Sequence, residues 1–423
     1  MHRPHTLLVM EITAVVVRAS DDAVLMVPSG LPRVEVTEKF WFPDVEPVLR
    51  ALPGIDAAVL TCLSEEPMVY LMLSTGAVPE DARWVDDVDD PAVVAARRHL
   101  ALPPDSPVTP AWTMPDWYDE ALPWIAEHVP GSWTQVRSWG LSNVLRVSGP
   151  DGDVYFKALA HSTTIRPAHA DALPLLFAHE PLLLKHLSDD RPGAVPAPLA
   201  IDEKRAWMLL PDLGFPLADE ADIAVWIDAL RGHARLQRSY VDQTDRLLEF
   251  SCVDRRLNVL AAELDRLLGL NPATALLEPS ERARLPRRAE QLHEAITELA
   301  AIGVPETLLH GDLHPRNLAV RDGKVLAFDW TDGLVSHPFL DLVTFVEERS
   351  PLSMDPRVRD AYLAEWEEYA SPTDLCRALE LAGELGALHQ TMTCLHLLDH
   401  LSEPDRGSML RGAAWWLRRL LEQ

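Results

Sequence analysis

The run LLHGDLHPRNLAVRDGKVLAFDW, residues 308–330, decides how this chain reads. Helical periodicity lies on both sides of it, and the run breaks that pattern. Asp312 and Asn317 share one proline-containing loop, His310-Gly311-Asp312-Leu313-His314-Pro315-Arg316-Asn317. The strand Leu318-Ala319-Val320 follows, then the turn Arg321-Asp322-Gly323, then the strand Val325-Leu326-Ala327-Phe328, with Asp329 at its end. Two apolar strands joined by an Asp-Gly turn form a hairpin. A hairpin folds back, so Asp329 returns beside the loop and three oxygen-bearing side chains converge. Phosphoryl transfer needs such a set: a carboxylate to orient a hydroxyl, and an amide with a carboxylate to hold Mg²⁺. Singly, Asp312 or Asn317 reads as an Asx-turn residue. Together with Asp329 they read as a site.

Working outward, the chain changes character twice. Downstream of residue 213 it is mostly helical, with periodic stretches at 222–240, 253–268, 283–302 and 357–420. Upstream, TQVRSWGLSNVLRVSGPDGDVYFKAL reads as three short strands, the last two joined at Gly149-Pro150-Asp151-Gly152. The helix EPLLLKHLSD follows, and then a strand, RAWMLL, that ends at Pro211-Asp212-Leu213-Gly214. Residues 116–128 read as an amphipathic helix. Residues 1–110 form a small α/β or mostly β unit, opened by the hairpin ITAVVVRASDDAVLMV and continued by the strand MVYLMLS. A proline-rich stretch near Pro103–Pro110 marks its end. The expected domains are therefore 1–110, 111–212 and 213–423.

Length and composition agree with this division. At 423 residues the chain has room for two or three domains. With 48% hydrophobic and 24% charged residues it is an ordinary globular composition, not a rod or a disordered chain. The 35 prolines against 19 glycines predict short, punctuated helices. The net charge of -27 opposes binding to nucleic acid or to an anionic membrane, and it favours a cationic small molecule. Cys62, Cys252, Cys376 and Cys394 are scattered without metal-type spacing, which reads as reduced, structural thiols. The opening MHRPHTLLVMEITAVVV is not read as a signal peptide, because Glu11 cuts its apolar run short. No run reaches the ~18 apolar residues of a membrane span, so a cytoplasmic protein is expected. No G-x-x-x-x-G-K-[ST] sequence occurs, which excludes a P-loop NTPase. His310 and His314 have the i, i+4 spacing of zinc-binding helices, but Gly311 and Pro315 oppose a helix there.

His310-Gly311-Asp312-Leu313-His314-Pro315-Arg316-Asn317, followed by Phe328-Asp329-Trp330, resembles the signature of the aminoglycoside phosphotransferase family, which includes choline, homoserine and fructosamine kinase relatives. The resemblance covers about residues 130–345 and extends loosely into the helical tail. It implies an α+β, bilobal protein-kinase-like fold, with a small β-rich lobe and a large helical lobe, preceded here by the small α/β unit. By the same resemblance Asp312 would be the catalytic base, Asn317 and Asp329 would bind Mg²⁺, and His310 would brace the loop. Lys157, at the end of the strand VYFK, would contact phosphate, and Glu180 would pair with it, although the family places that carboxylate inside the helix rather than at its start. Trp139-Gly140-Leu141-Ser142-Asn143 stands where kinases have a Gly-rich turn, with Ser142 as a donor to phosphate. Pro211, able only to accept, and Leu213, able to donate, would hold the adenine at a hinge. Asp341, in SHPFLDLVTF, would help hold the catalytic loop. The first unit loosely resembles a Nudix domain in its opening hairpin, but the spaced Gly, Glu and Arg-Glu-x-x-Glu-Glu signature is absent, so it reads as a degenerate copy with a structural or substrate-shaping role. The implied activity is transfer of the γ-phosphoryl group of ATP or GTP, with Mg²⁺, to a hydroxyl of a small molecule, aminoglycoside- or choline-like. The alternative is a nucleotide-binding regulator that no longer transfers phosphate.

Overall fold

The computed structural model describes residues 9–38, 40–103, 109–160, 178–347 and 350–422. The boundary expected near Pro103–Pro110 falls largely on 104–108, outside the described residues. The chain divides into two compact units. The first runs to Ile165 and adds Trp207–Leu209 and His400–Gly407, and the second holds the remainder from Arg166 onward.

The first unit contains two sheets. One is built from β1 (Met10–Val17), β2 (Val24–Met26), β3 (Arg33–Val36), β4 (Ala57–Glu65), β5 (Met68–Ser74) and β6 (Arg83–Val85), in the order β4-β5-β1-β2-β6 with β3 on β1. The β1–β2 hairpin forms as its sequence predicts, with Val17 opposite Val24. β1 and β5 run parallel. Both are nearly continuous apolar runs because a strand buried on both faces has no polar side to show. α1 (Glu46–Ala51) and α2 (Pro91–Leu100) follow the sheet's connections, and α2 is capped by Asp90, whose side chain accepts from the Ala92 N–H. After α3 (Trp117–His128) comes the antiparallel meander β7 (Ser132–Ser138), β8 (Ser142–Gly149) and β9 (Gly152–Leu159). Residues 1–110 and this meander form one unit rather than two because β7 is tied to the first sheet. The Gln135 amide donates to Val59 O (3.0 Å) and accepts from Val59 N (2.7 Å), where β4 shifts register. Arg137–Asp44 and Arg146–Glu46 add ion pairs. Trp207 packs edge-on against Trp117, Trp124 and Phe156 of β9.

The second unit carries α4 (Glu180–Asp190), β10 (Ala200–Asp202), the end of β11 (Trp207–Pro211) and β12 (Phe215–Pro216). It continues with α5 (Ile223–Arg238), α6 (Thr244–Glu249), β13 (Val253–Asp254), α7 (Leu257–Leu268), the short α8 (Pro272–Ala275) and α9 (Pro279–Arg282), and α10 (Leu285–Ile302). The helix expected over 253–268 begins four residues late, because Val253 and Asp254 pair with a strand instead. That strand is β17 (Leu334–Ser336), which also pairs with β14 (Thr307–Leu309). Between these two lies the decisive hairpin, β15 (Leu318–Arg321) and β16 (Lys324–Ala327), extended by β12 to a three-stranded sheet. Its turn residues Asp322 and Gly323 both have positive φ (52° and 72°), as a two-residue hairpin turn requires. α11 (Asp341–Glu347), α12 (Pro356–Ala364), α13 (Pro372–Leu397) and α14 (Asp405–Glu422) complete the chain. No described helix is long and apolar enough to cross a membrane. All four cysteines are free; Cys62, Cys252 and Cys394 are buried, whereas Cys376 is exposed and so is not a core thiol.

Candidate active site

β14 delivers the chain into the loop His310–His314, and the 3₁₀ turn Pro315–Asn317 leads it out into β15. The 3₁₀ geometry and the use of both His310 ring nitrogens end the zinc-helix reading. His310 Nε2 donates to Phe328 O (2.8 Å), and its Nδ1 accepts from the Asp312 N–H (3.3 Å). Burial holds this ring neutral, its pKa lowered to about 4. His310 thus ties the loop to the returning hairpin.

The hairpin brings Asp329 back as its sequence implies. Leu318 faces Ala327, and the Phe328 N–H donates to Asn317 O (2.9 Å). Asp329 then turns left-handed (φ 64°, ψ 59°), a conformation Asp tolerates better than most residues. Its Oδ1 accepts from Thr331 Oγ1 (3.0 Å). Asn317 Nδ2 donates to Asp312 O (3.0 Å), which leaves its Oδ1 to meet a cation. Glu180, at the start of α4 and fully buried, accepts the Trp330 N–H (2.8 Å) and so fixes the turn immediately after Asp329.

Asp341 anchors the loop from below. Its Oδ2 accepts from His310 N (2.9 Å), His233 Nε2 (2.8 Å) and Gln237 Nε2 (3.0 Å), and its Oδ1 accepts from Gly311 N (2.9 Å). Burial alone would raise this carboxyl, yet the bond from His233 and the other donors hold it below the usual Asp value. The side chain therefore holds the loop rather than capping α11. Gly311 has φ +85°, and a Cβ there would lie 2.4 Å from Asp332 O, so only glycine fits.

Asp312 keeps 39% of its side chain open to solvent. Its carboxyl is nonetheless pushed up to about 7, by enclosure first and then by the charges of Asp329 and Asp341. Asp332 is raised likewise to about 7 by burial and by Asp312, against the pull of Arg255. Carboxylates that crowd one another in this way call for a cation. The available donors are hard oxygens, which suit Mg²⁺. Among the described residues no three His, Cys, Asp or Glu side chains converge as a metal cage. A carboxylate and an amide completed by substrate phosphates is the usual magnesium arrangement.

The other sequence candidates are distributed over both units. Lys157 lies in β9 of the first unit, opposite Val144 and 9% exposed. Ser142 opens β8, buried, and its Oγ accepts the Trp139 indole N–H (2.9 Å). Pro211 ends β11, and Leu213 follows in the turn whose Gly214 lies against Val320 of β15.

The model of the phosphotransferase enzyme family (APH) matches residues 133–381. The chain belongs to this family. Among solved structures, the GDP complex of an aminoglycoside 2′-phosphotransferase (type IIIa) aligns with a TM-score of 0.50 at 16% identity, covering 71% of this chain and 98% of that one. A choline/ethanolamine kinase family protein from Mesorhizobium loti (0.49, 15%, covering 72% and 95%) and a macrolide 2′-phosphotransferase from Brachybacterium faecium (0.48, 18%, covering 72% and 98%) are also similar. At 16% identity the likeness to the aminoglycoside 2′-phosphotransferase speaks for a shared protein-kinase-like fold alone. No curated protein matches significantly in sequence.

Several groups at this phosphotransferase site escape a reading of the sequence. Asp332 lies three residues after Asp329, where a 3₁₀ turn aligns i and i+3. His233 and Gln237 offer a visible signal, being polar residues four apart on the otherwise apolar face of α5. Arg255 and Gln390 offer none, since each acquires its role only through tertiary packing.

Proposed function

We propose that this phosphotransferase moves the γ-phosphoryl group of ATP or GTP to a hydroxyl of a small, amine-bearing acceptor. The observation that carries the proposal is the Asp312 carboxyl, half-open to solvent and tuned to about 7, held beside Asp329 and Asn317. A base poised near neutrality both accepts and releases a proton readily. Asp312 would accept the acceptor's hydroxyl proton. His310 and Asp341 would keep its backbone still, and Glu180 would do the same for the turn at Asp329. Asn317 and Asp329 would hold Mg²⁺, which when bound neutralises charge on the phosphates. Lys157 and Ser142 as phosphate contacts, Glu180 as the lysine's partner, and Pro211 and Leu213 as adenine contacts rest on the family resemblance. The crowd of carboxylates around Asp312 and the net charge of -27 support a cationic acceptor.

The test is ADP release with Mg²⁺ and ATP against a panel of hydroxylated amines, sugars and antibiotics, comparing wild type with Asp312→Asn. Nucleotide affinity should persist in the variant, and transfer should fall by about 10²–10⁴. Equal rates in the two proteins would remove Asp312 from its role. Tight nucleotide binding with no turnover on any acceptor would favour a regulator.

A further inference from the structure

The peptide that joins Gly311 to Asp312 is the last rigid link before the proposed base, and it is gripped at both of its polar ends. Its N–H reaches His310 Nδ1 (3.3 Å). Its carbonyl, Gly311 O, accepts from the side-chain amide of Gln390 (2.9 Å), 79 residues away on α13. The first grip is local and belongs to the family signature. The second is not: the family match ends at residue 381, nine residues before Gln390.

The neighbourhood of Gln390 shows what it costs the fold to place an amide there. α13 is apolar on its buried side until its last third, where His389, Thr391 and Thr393 are buried as well. His389 and Thr393 face the guanidinium of Arg255, itself 1% exposed, which bonds Thr393 Oγ1 and lies 3.4 Å from His389 Nδ1. Arg255 is fixed in turn through its backbone, since its N–H donates to Val335 O (3.0 Å) and its carbonyl accepts from Ser336 Oγ (2.7 Å). One turn earlier, Gly386 lets α13 approach Val343 so closely that a Cβ would lie 2.3 Å from it. Buried polar groups are expensive unless paired. Here they lock the rotation and height of α13 at the level where Gln390 meets the loop.

We propose that Gln390 is a positioning residue for phosphoryl transfer, fixing the Gly311–Asp312 peptide from the far side of the fold. The inference rests on the functional reading of Asp312 but concerns a different residue. With the Gln390 bond removed, the loop keeps its Asp341 and His310 anchors, and the His389 ring still lies against the Gly311 backbone, so the loop still folds, while the Asp312 carboxylate wanders. A misplacement of about 1 Å costs roughly 10²-fold in rate.

The test compares full-length wild type with Gln390→Met, which keeps the length and removes the donor, and Gln390→Lys, which restores a donor. Amide hydrogen exchange is followed on peptides spanning 308–318, and ADP release is followed with Mg²⁺-ATP and streptomycin, choline or water as acceptor. Gln390→Met should accelerate exchange in that segment and lower kcat by about ten- to hundred-fold. KM for ATP and the melting temperature should stay near wild type, and Gln390→Lys should recover part of the rate. Unchanged exchange in Gln390→Met overturns the inference. So does a kcat loss matched by a rise in KM or a fall in melting temperature, which would make Gln390 a general structural contact. A wild type that transfers to no acceptor, with exchange still governed by Gln390, would overturn the functional reading and leave the brace standing.

Discussion

Replacing Asp341 with Asn changes one atom of the loop's anchor and should disable it. The carboxylate receives four donors, three at Oδ2 and one at Oδ1, and it is buried with all of them. In the best orientation the new amide oxygen takes the Oδ2 position and keeps His310 N, His233 and Gln237. The NH₂ group then faces the Gly311 N–H, donor against donor. The lost charge-assisted bond and the stranded N–H together cost about 2–5 kcal/mol. In a unit of this size that lowers the unfolding midpoint by roughly 5–15 °C. Because the Gly311 N–H lies next to Asp312, kcat should fall as well, by about 10²-fold for a displacement of about 1 Å.

The assays are thermal unfolding and ADP release, with His233→Ala as a milder control that removes a single donor. Acid provides a further check. The Asp341 carboxyl lies below its ordinary value in the folded chain, so its stabilisation is present above about pH 4 and fades as pH falls through the folded pKa. The stability gap between wild type and Asp341→Asn should therefore narrow below about pH 4. An Asp341→Asn protein with the wild-type midpoint and the wild-type kcat would refute the reasoning.

Three further outcomes are expected. Transfer should rise with pH through about 7 as Asp312 loses its proton, with the midpoint moving lower when Mg²⁺ is in excess, because a nearby cation favours the carboxylate; a flat pH–rate profile between about 5.5 and 8.5 would contradict a base at this position. His310, His337 and His389 are buried and neutral, with pKa values lowered by burial to about 4, about 3 and about 3. Their unfolded forms take up protons below about 6.5, so stability is present above that pH and falls as acid is added, by about 1.4 kcal/mol per pH unit for each proton, which calorimetry between pH 7 and 4.5 would measure. Gly311→Ala combines a left-handed φ with a Cβ 2.4 Å from Asp332 O, so it should fold poorly or lose transfer, as expression and ADP assays would show.

What the sequence discloses depends on chain distance. The trio proposed to react lies within 18 residues and one Asp-Gly hairpin, so periodicity and turn chemistry suffice to bring Asp329 back beside Asn317. The meander β7–β9 was legible for the same reason, since its turns are local. The replacement of the first turn of helix 253–268 by a strand was not, because its partner β17 lies about 80 residues on, and the strand β4 escaped the reading although it pairs with the adjacent β5.

The braces follow the same rule and give it a consequence. Asp341 reaches its loop from 31 residues away, Gln390 from 79, His233 meets Asp341 across 108, and Glu180 reaches Trp330 across 150. In these bonds each group holds a backbone group or another brace. The proposed reactive groups therefore lie in one short ribbon, and the groups that brace it are spread over α4, α5, α11 and α13. A site divided in this way can keep its reaction while its acceptor changes, because the helices can be remodelled around the ribbon so long as four backbone positions, at Gly311 (N–H and carbonyl), His310 and Trp330, stay gripped.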